Sequence, residues 1–195
     1  MVCGSVHVVL RIRRGLPSLR TPRTYRVLER AFRAAKDRND CSLLEYSVQQ
    51  DHLHLLVQAT NEKKLARAMQ GLAIRVAKAL NRFWRGRLGS VFADRYLARA
   101  VKTFTELRRV VRYVLQNARK HGVWTKSTPD QFSSAPWFKW NGTADIRRPL
   151  RSPPVMRCQS LELDVIAMHG LEIDDLPGPR KRYAFEEDDE LILSP

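Results

Sequence analysis

The spacing of apolar residues predicts four short strands in the first hundred residues. Apolar and polar positions alternate over residues 5–13, as in a strand with one buried face. Runs of β-branched and apolar residues predict two further strands over 41–49 and 52–58. These two strands are separated by a tight turn at Asp51, so we expect a hairpin. A fourth strand is predicted over 91–101.

Three other segments have the i, i+3, i+4 apolar spacing of helices that bury one face. The first covers residues 24–37, and the second begins after an N-cap at Thr60 or Asn61. The third opens at "TFTE" (103–106), which has the form of a capping box, and ends near Lys120. The apolar stripe of the second helix consists of Leu65, Met69, Leu72, Val76 and Leu80.

The resulting order, β-α-β-β-α-β-α, predicts an α+β fold. The simplest packing of this order is a ferredoxin-like split βαβ sheet followed by a C-terminal helix. We expect the helices to cover one face of the sheet and to leave the other partly open. We assign residues 1–125 to this domain and residues 126–195 to an irregular C-terminal extension with an acidic tail. The tryptophan-rich start of the extension is expected to wrap back on the core.

The charge of the chain indicates a polyanionic partner. The net charge is +15, and residues 1–120 hold 26 Lys and Arg against 8 Asp and Glu. Such an excess on one folded unit most often serves nucleic-acid binding. The alternative is a basic protein whose charge only keeps it soluble.

Cysteine usage and hydropathy favour an intracellular setting. The three cysteines are far apart and form no C-x-x-C pair, which argues against a structural zinc site and against a disulfide framework. No apolar run approaches transmembrane length, so we expect no membrane partner. We expect a cytoplasmic, nucleoid-associated protein of bacterial type.

The segment "DHLHLLVQ" carries the first candidate chemistry. Side chains alternate along a strand, so His52 and His54 project from one face about 7 Å apart at the backbone. Imidazoles at this spacing can converge on one divalent ion, and a third ligand must then come from elsewhere. The alternative is that the pair is simply polar surface or a satisfied group of the core.

The third helix offers the complementary groups. Tyr113 and Asn117 lie one turn apart at the edge of its buried stripe. The phenol oxygen is a candidate nucleophile, and the amide oxygen of the asparagine is a candidate metal ligand. Tyr96 competes for the role of nucleophile, although a tyrosine on a strand more often packs. His7 faces away from the apolar side of its strand and could line the same site.

Together these groups suggest phosphoryl transfer. A tyrosine hydroxyl has a reference pKa of about 10, so it is a weak nucleophile at neutral pH. A metal ion held by two histidines would polarise the scissile phosphate and stabilise the charge of the transition state. Attack would give a covalent phosphotyrosine and a free sugar hydroxyl. The ester conserves the bond energy, so no ATP is needed, and the chain has no G-x-x-x-x-G-K-[ST] phosphate loop.

At these residues the chain resembles a known family. "DHLHLLVQ" is similar to the His-hydrophobic-His strand of the single-tyrosine HUH transposases of the IS200 type. "RYVLQNARKHG" resembles the tyrosine helix of their REP-associated branch, in which Tyr-x-x-x-Asn is typical. The resemblance extends over roughly residues 1–125. One departure is that Ala118 follows the asparagine, where the family commonly has proline.

The resemblance implies a metal-dependent endonuclease and strand transferase that acts on single-stranded, hairpin-forming DNA. His52 and His54 would match the metal-binding pair, and Asn117 the third ligand, with Mg²⁺ or Mn²⁺ as the ion. Tyr113 would match the nucleophile that forms a 5′-phosphotyrosine. The resemblance leaves open whether the chain is a monomer or a homodimer.

Four arginines are further candidates for holding DNA phosphates. Arg109 and Arg112 flank the tyrosine, and Arg11 and Arg13 lie on the strand face that carries His7. The main alternative function is a non-catalytic or domesticated DNA- or RNA-binding protein on the same fold. A carboxylate-cluster nuclease is disfavoured, because the few acidic residues before position 120 fall mostly at turns or helix caps.

Overall fold

The computed structural model describes residues 4–38, 40–85, 89–126 and 128–138, together with residues 152, 154 and 155. Its elements follow the predicted order with two additions, a two-residue strand after the first helix and a short 3₁₀ helix after the last α-helix. In chain order they are β1 (Gly4–Arg11), α1 (Pro22–Ala35), β2 (Asp37–Arg38), β3 (Cys41–Val48), β4 (His52–Ala59), α2 (Glu62–Phe83), β5 (Leu97–Val101), α3 (Phe104–Lys120) and the 3₁₀ helix Ala135–Trp137.

The strands form one sheet in the order β2-β3-β4-β1-β5, and every neighbouring pair is antiparallel. Without the short edge strand β2, the order is β3-β4-β1-β5, in which β1 lies between β4 and β5. This is the strand order of a ferredoxin-like sheet. The predicted α+β, ferredoxin-like fold is therefore confirmed.

The fourth strand is shorter than its sequence pattern predicts. Residues 91–93 make only an isolated bridge to the end of β1, between Ile12 and Phe92. The chain then bends, and regular pairing begins at Leu97. The apolar residues that suggested one long strand therefore lie on two sides of a bend. Val91, before the bend, is buried in the main core, and the strand itself begins only after it.

The helix termini follow the predicted caps. The Asn61 side chain accepts a hydrogen bond from the backbone N–H of Lys64 at 3.0 Å. Thr103 caps α3 by accepting from the backbone N–H of Glu106 at 3.1 Å, as in a capping box. The α3 helix ends before Gly122, whose φ of +68° lies in the left-handed region that favours glycine.

The two faces of the sheet carry different layers. The helices α1 and α2 pack on one face over the main core, to which the predicted α2 stripe contributes. The expectation that the other face stays partly open needs correction, because α3 packs on it. A second apolar cluster joins α3 to this face through Leu44, Leu56, Val110, Val111, Val114 and Leu115.

Residues 128–138 fold back on the sheet, as expected for the start of the extension. The backbone N–H of Val48 donates a hydrogen bond to the carbonyl of Phe132 at 2.9 Å. Ser133 pairs with Ser47 in an isolated antiparallel β-bridge. Arg20 and Asp130 form a two-pronged ion pair of 2.8 and 3.0 Å, with side chains only 5% and 2% exposed. This ion pair fixes the segment beside the end of β3. The expected acidic tail lies outside the described residues.

Candidate active site

His52 and His54 project from β4 toward the layer of α3. Their Nε2 atoms are 3.0 Å apart, and their rings are nearly perpendicular. The prediction that the two imidazoles share one face is confirmed. Adjacent ligands of an octahedral ion, with bonds of about 2.1 Å, are separated by about 3.0 Å. The two nitrogens are therefore spaced to share one ion.

Each of the two rings has a partner at its other nitrogen. The Nδ1 atom of His52 lies 2.7 Å from Oδ1 of Asp51, and Nδ1 of His54 lies 3.2 Å from Nε2 of His7. Partial burial acts to raise the pKa of Asp51, but the hydrogen bond and charge of His52 outweigh it and hold this pKa below its ordinary value. Asp51 is therefore a carboxylate at neutral pH, and it can only accept a hydrogen bond from the ring.

His54 is neutral at pH 7. Its side chain is nearly buried, and this burial lowers its pKa well below the ordinary value, helped by the neighbouring His52 and His7. A neutral imidazole has one bare nitrogen, which is the form that binds a metal.

Tyr113 reaches this cluster from α3. Its ring stands edge-on to His54 with centroids 5.3 Å apart, and edge-on to His7 at 5.7 Å. The residue is half-buried and packs at the border of the second apolar cluster. The Nζ atom of Lys120 lies 5.3 Å from the centre of the phenol ring. The cluster thus combines a phenol, a cation and the paired imidazoles within a single chain.

Asn117 lies one helical turn beyond Tyr113 and is fully buried. Within the described part of the chain, neither Oδ1 nor Nδ2 of its amide has a hydrogen-bond partner. Buried amides are normally paired, so an amide with two unpaired atoms needs an explanation. Among the described residues, no three His, Cys, Asp or Glu side chains are grouped so that they could hold a metal ion. A ligand that completes the histidine pair would therefore be of another type, and an amide oxygen is suitable.

The candidate arginines lie at different distances from the cluster. Arg11 stands opposite His52 in the pairing of β1 with β4, and its charge helps to lower the pKa of Asp51 and His54. The side chain of Arg13 is exposed just beyond β1, and that of Arg109 is exposed one turn before the candidate nucleophile. Arg112 is half-buried on α3. The structure thus brings Arg11 next to the histidine pair.

The competing tyrosine lies elsewhere. Tyr96 packs against the main core, which lies on the other face of the sheet from the histidine pair. In contrast, His7 does line the site, as its strand face suggested. The sequence analysis did not predict two further residues of the site, Asp51 beside His52 and Lys120 beside Tyr113. Both had a local signal, because Asp51 directly precedes His52 and Lys120 lies two helical turns after the tyrosine.

With this geometry established, comparison with known proteins identifies the family. A family model described as IS200-like transposase matches residues 3–117. The chain belongs to the IS200-like transposase family. The matched range includes the histidine pair, Tyr113 and Asn117. Membership of this family supports a transposase function, and no curated protein matches the chain.

The chain was also compared with two solved structures. The structure of a REP-associated tyrosine transposase bound to a REP hairpin aligns with a TM-score of 0.58 and 18% identity, over 78% of this chain and 94% of that chain. A protein of Deinococcus radiodurans R1, solved as a candidate transposase, aligns with a TM-score of 0.45 and 18% identity, over 58% of this chain and 91% of that one. At this identity the first likeness shows a common fold. Within the described residues, no helix is long and apolar enough to cross a membrane.

Proposed function

We propose that this chain is a metal-dependent endonuclease and strand transferase for single-stranded, hairpin-forming DNA, with Tyr113 as the nucleophile. One observation carries the proposal: the Tyr113 ring stands edge-on to His54, and Nε2 of His54 faces Nε2 of His52. The class of DNA is suggested by the related fold that was solved bound to a REP hairpin.

His52, His54 and Asn117 are the residues that would hold Mg²⁺ or Mn²⁺. The 3.0 Å gap between the histidine nitrogens fits one ion, and the unpaired buried amide of Asn117 would gain a partner for its oxygen. When bound, the ion would neutralise charge on the scissile phosphate and stabilise the transition state.

In the proposed step the Tyr113 oxygen attacks the phosphorus of the DNA backbone. The oxygen–phosphorus bond of a 5′-phosphotyrosine forms while the bond from phosphorus to the 3′ oxygen breaks. The phenol loses its proton to solvent, and the leaving 3′ oxygen takes up a proton. The ammonium of Lys120 over the ring favours the negative charge that develops on the phenol. Attack by another 3′ hydroxyl reverses the step and joins a new strand.

The basic surface around the site would hold the DNA backbone. Arg11 is next to His52, and Arg109 and Arg112 are on the helix of the nucleophile. Arg13 is exposed two residues after the end of β1. Contacts of these side chains with phosphates would position the strand without reading its sequence.

The test uses labelled hairpin-forming single strands, Mn²⁺ and the full chain. We expect a protein–DNA complex that survives denaturation, and Tyr113→Phe should abolish it while leaving hairpin binding in place. Tyr96→Phe is the matched control, and it should keep the complex because Tyr96 packs on the opposite face. If Tyr113→Phe forms as much adduct as the unmodified chain, the assignment is wrong. If no chain forms an adduct but all bind the hairpin, the alternative of a non-catalytic binding protein is favoured.

A further inference from the structure

Three imidazoles form a continuous chain across β1 and β4. Nε2 of His7 lies 3.2 Å from Nδ1 of His54, and Nε2 of His54 lies 3.0 Å from Nε2 of His52. The far nitrogen of His52 contacts Asp51 at 2.7 Å. The His7 and His54 rings are nearly parallel, at an interplanar angle of 14°. Strand pairing produces this contact, because His54 stands opposite Val9, two residues along β1 from His7.

The proton positions along this chain follow from its carboxylate end. Asp51 only accepts, so Nδ1 of His52 carries a proton, and in the metal-binding, neutral form of the ring Nε2 is the bare nitrogen. In the absence of an ion, His54 satisfies that bare nitrogen by donating from its own Nε2. Its Nδ1 is then bare and accepts a hydrogen bond from the Nε2–H of His7.

Sharing one ion requires a different arrangement. Both Nε2 atoms must then be bare, so the single proton of neutral His54 must be on Nδ1. That proton needs an acceptor, and among the described residues Nε2 of His7 lies within hydrogen-bond distance of Nδ1. His7 is only 7% exposed, so water is a poor substitute for it.

We propose that His7 is a positioning residue that selects the metal-binding tautomer of His54, as Asp51 does for His52. The inference rests on the proposed function, because it concerns the ion held by the histidine pair. His7 would move its own proton to Nδ1 and accept from His54 through Nε2. When the rings are neutral, each keeps one proton, so the proposed change is a tautomeric shift without a change of charge.

The first test is calorimetric titration of the full chain with Mn²⁺. His7→Leu removes the acceptor, and loss of a partner that orients a metal-binding histidine typically weakens metal affinity about 10–100-fold. His7→Gln supplies an amide oxygen that can accept from Nδ1, so its affinity should stay closer to that of the unmodified chain. His121→Leu is the control, because it removes an exposed imidazole that is not part of the three-ring chain, and its Mn²⁺ affinity should match that of the unmodified chain. Equal affinity of His7→Leu and the unmodified chain would overturn the inference.

The second test needs no variant. Long-range ¹H–¹⁵N spectra distinguish protonated from bare ring nitrogens, and the His54 proton should move from Nε2 to Nδ1 when Mg²⁺ is added. If His54 carries its proton on Nδ1 in the loaded protein but Nε2 of His7 stays protonated, His7 cannot be the acceptor; this result would overturn the role of His7 and leave the proposed metal site intact. A chain that binds neither Mg²⁺ nor Mn²⁺ would overturn the proposed function together with the inference.

Discussion

The buried amide of Asn117 leads to a prediction about both stability and metal binding. Asn117→Leu keeps the number and branching of the side-chain heavy atoms but removes both polar groups. In the unmodified chain neither amide atom has a hydrogen-bond partner among the described residues, at a position with no exposure. A protein that keeps such a residue gives up stability, which is common at functional sites.

The size of the effect follows from two opposing contributions. Each buried polar group without a partner costs roughly 1–3 kcal/mol, so removing two could return about 2–6 kcal/mol. The larger methyl groups of leucine overpack the site, at a cost of about 1–3 kcal/mol. We therefore expect the free energy of unfolding to rise by about 1–3 kcal/mol without metal, since the polar contribution is the larger.

Urea unfolding in EDTA measures the free energy of unfolding without metal. The shift of the thermal midpoint on adding Mn²⁺ measures how strongly metal binding stabilises the folded chain. Asn117→Leu should be more stable in EDTA and should show a smaller Mn²⁺ shift than the unmodified chain, because a ligand that binds only the folded state stabilises it. Gln116→Leu is the matched control, since it removes a neighbouring buried amide whose Nε2 also has no partner in the described structure. It should retain the full Mn²⁺ shift. An Asn117→Leu chain that is destabilised in EDTA and keeps the full shift would refute the reasoning.

Three further predictions concern stability and DNA binding. Asp130→Ala leaves the buried Arg20 without its carboxylate and should lower the free energy of unfolding, measured in urea, by about 3–5 kcal/mol. The control Lys64→Ala breaks an exposed ion pair with Asp40 and should lower it by less than about 1 kcal/mol. Equal losses would contradict the packing of residues 128–138. Burial lowers the pKa of His54 in the folded chain, so the unfolded chain takes up a proton that the folded one does not, and stability should fall as pH drops below about 6.5. Urea midpoints of His54→Gln should fall less steeply over that range, and an unchanged slope would count against a buried neutral imidazole. Arg11→Ala should weaken hairpin binding and reduce the slope of log affinity against log salt by about 1, and a variant with an unaltered slope would exclude a phosphate contact at this position.

Local patterns in the sequence were sufficient to predict most of the elements. The caps at Asn61 and Thr103, the α2 stripe and the shared face of His52 and His54 all depend on residues a few positions apart. The short β5 was predicted too long, because a bend after Ala93 interrupts a run whose residue types suit a continuous strand.

Contacts between distant parts of the chain were beyond local patterns. The site depends on His7 reaching His54, 47 positions away, which is fixed only by the register of β1 on β4. The packing of residues 128–138 depends on Arg20 meeting Asp130, 110 positions away. The pairing of α3 with the second face of the sheet is of the same kind, and it determines where Tyr113 lies.

The most direct test of the central claim is to locate the DNA on the protein after cleavage. Trypsin cuts after Arg112 and Arg119, so residues 113–119, "YVLQNAR", form one peptide in which Tyr113 is the only hydroxyl side chain. After incubation with hairpin DNA and Mn²⁺ and digestion with nuclease and trypsin, we predict that mass spectrometry finds a 5′-linked nucleotide phosphate on this peptide. A nucleotide phosphate linked to residues 96–99, "YLAR", or to any other peptide of the covalent complex would contradict the account.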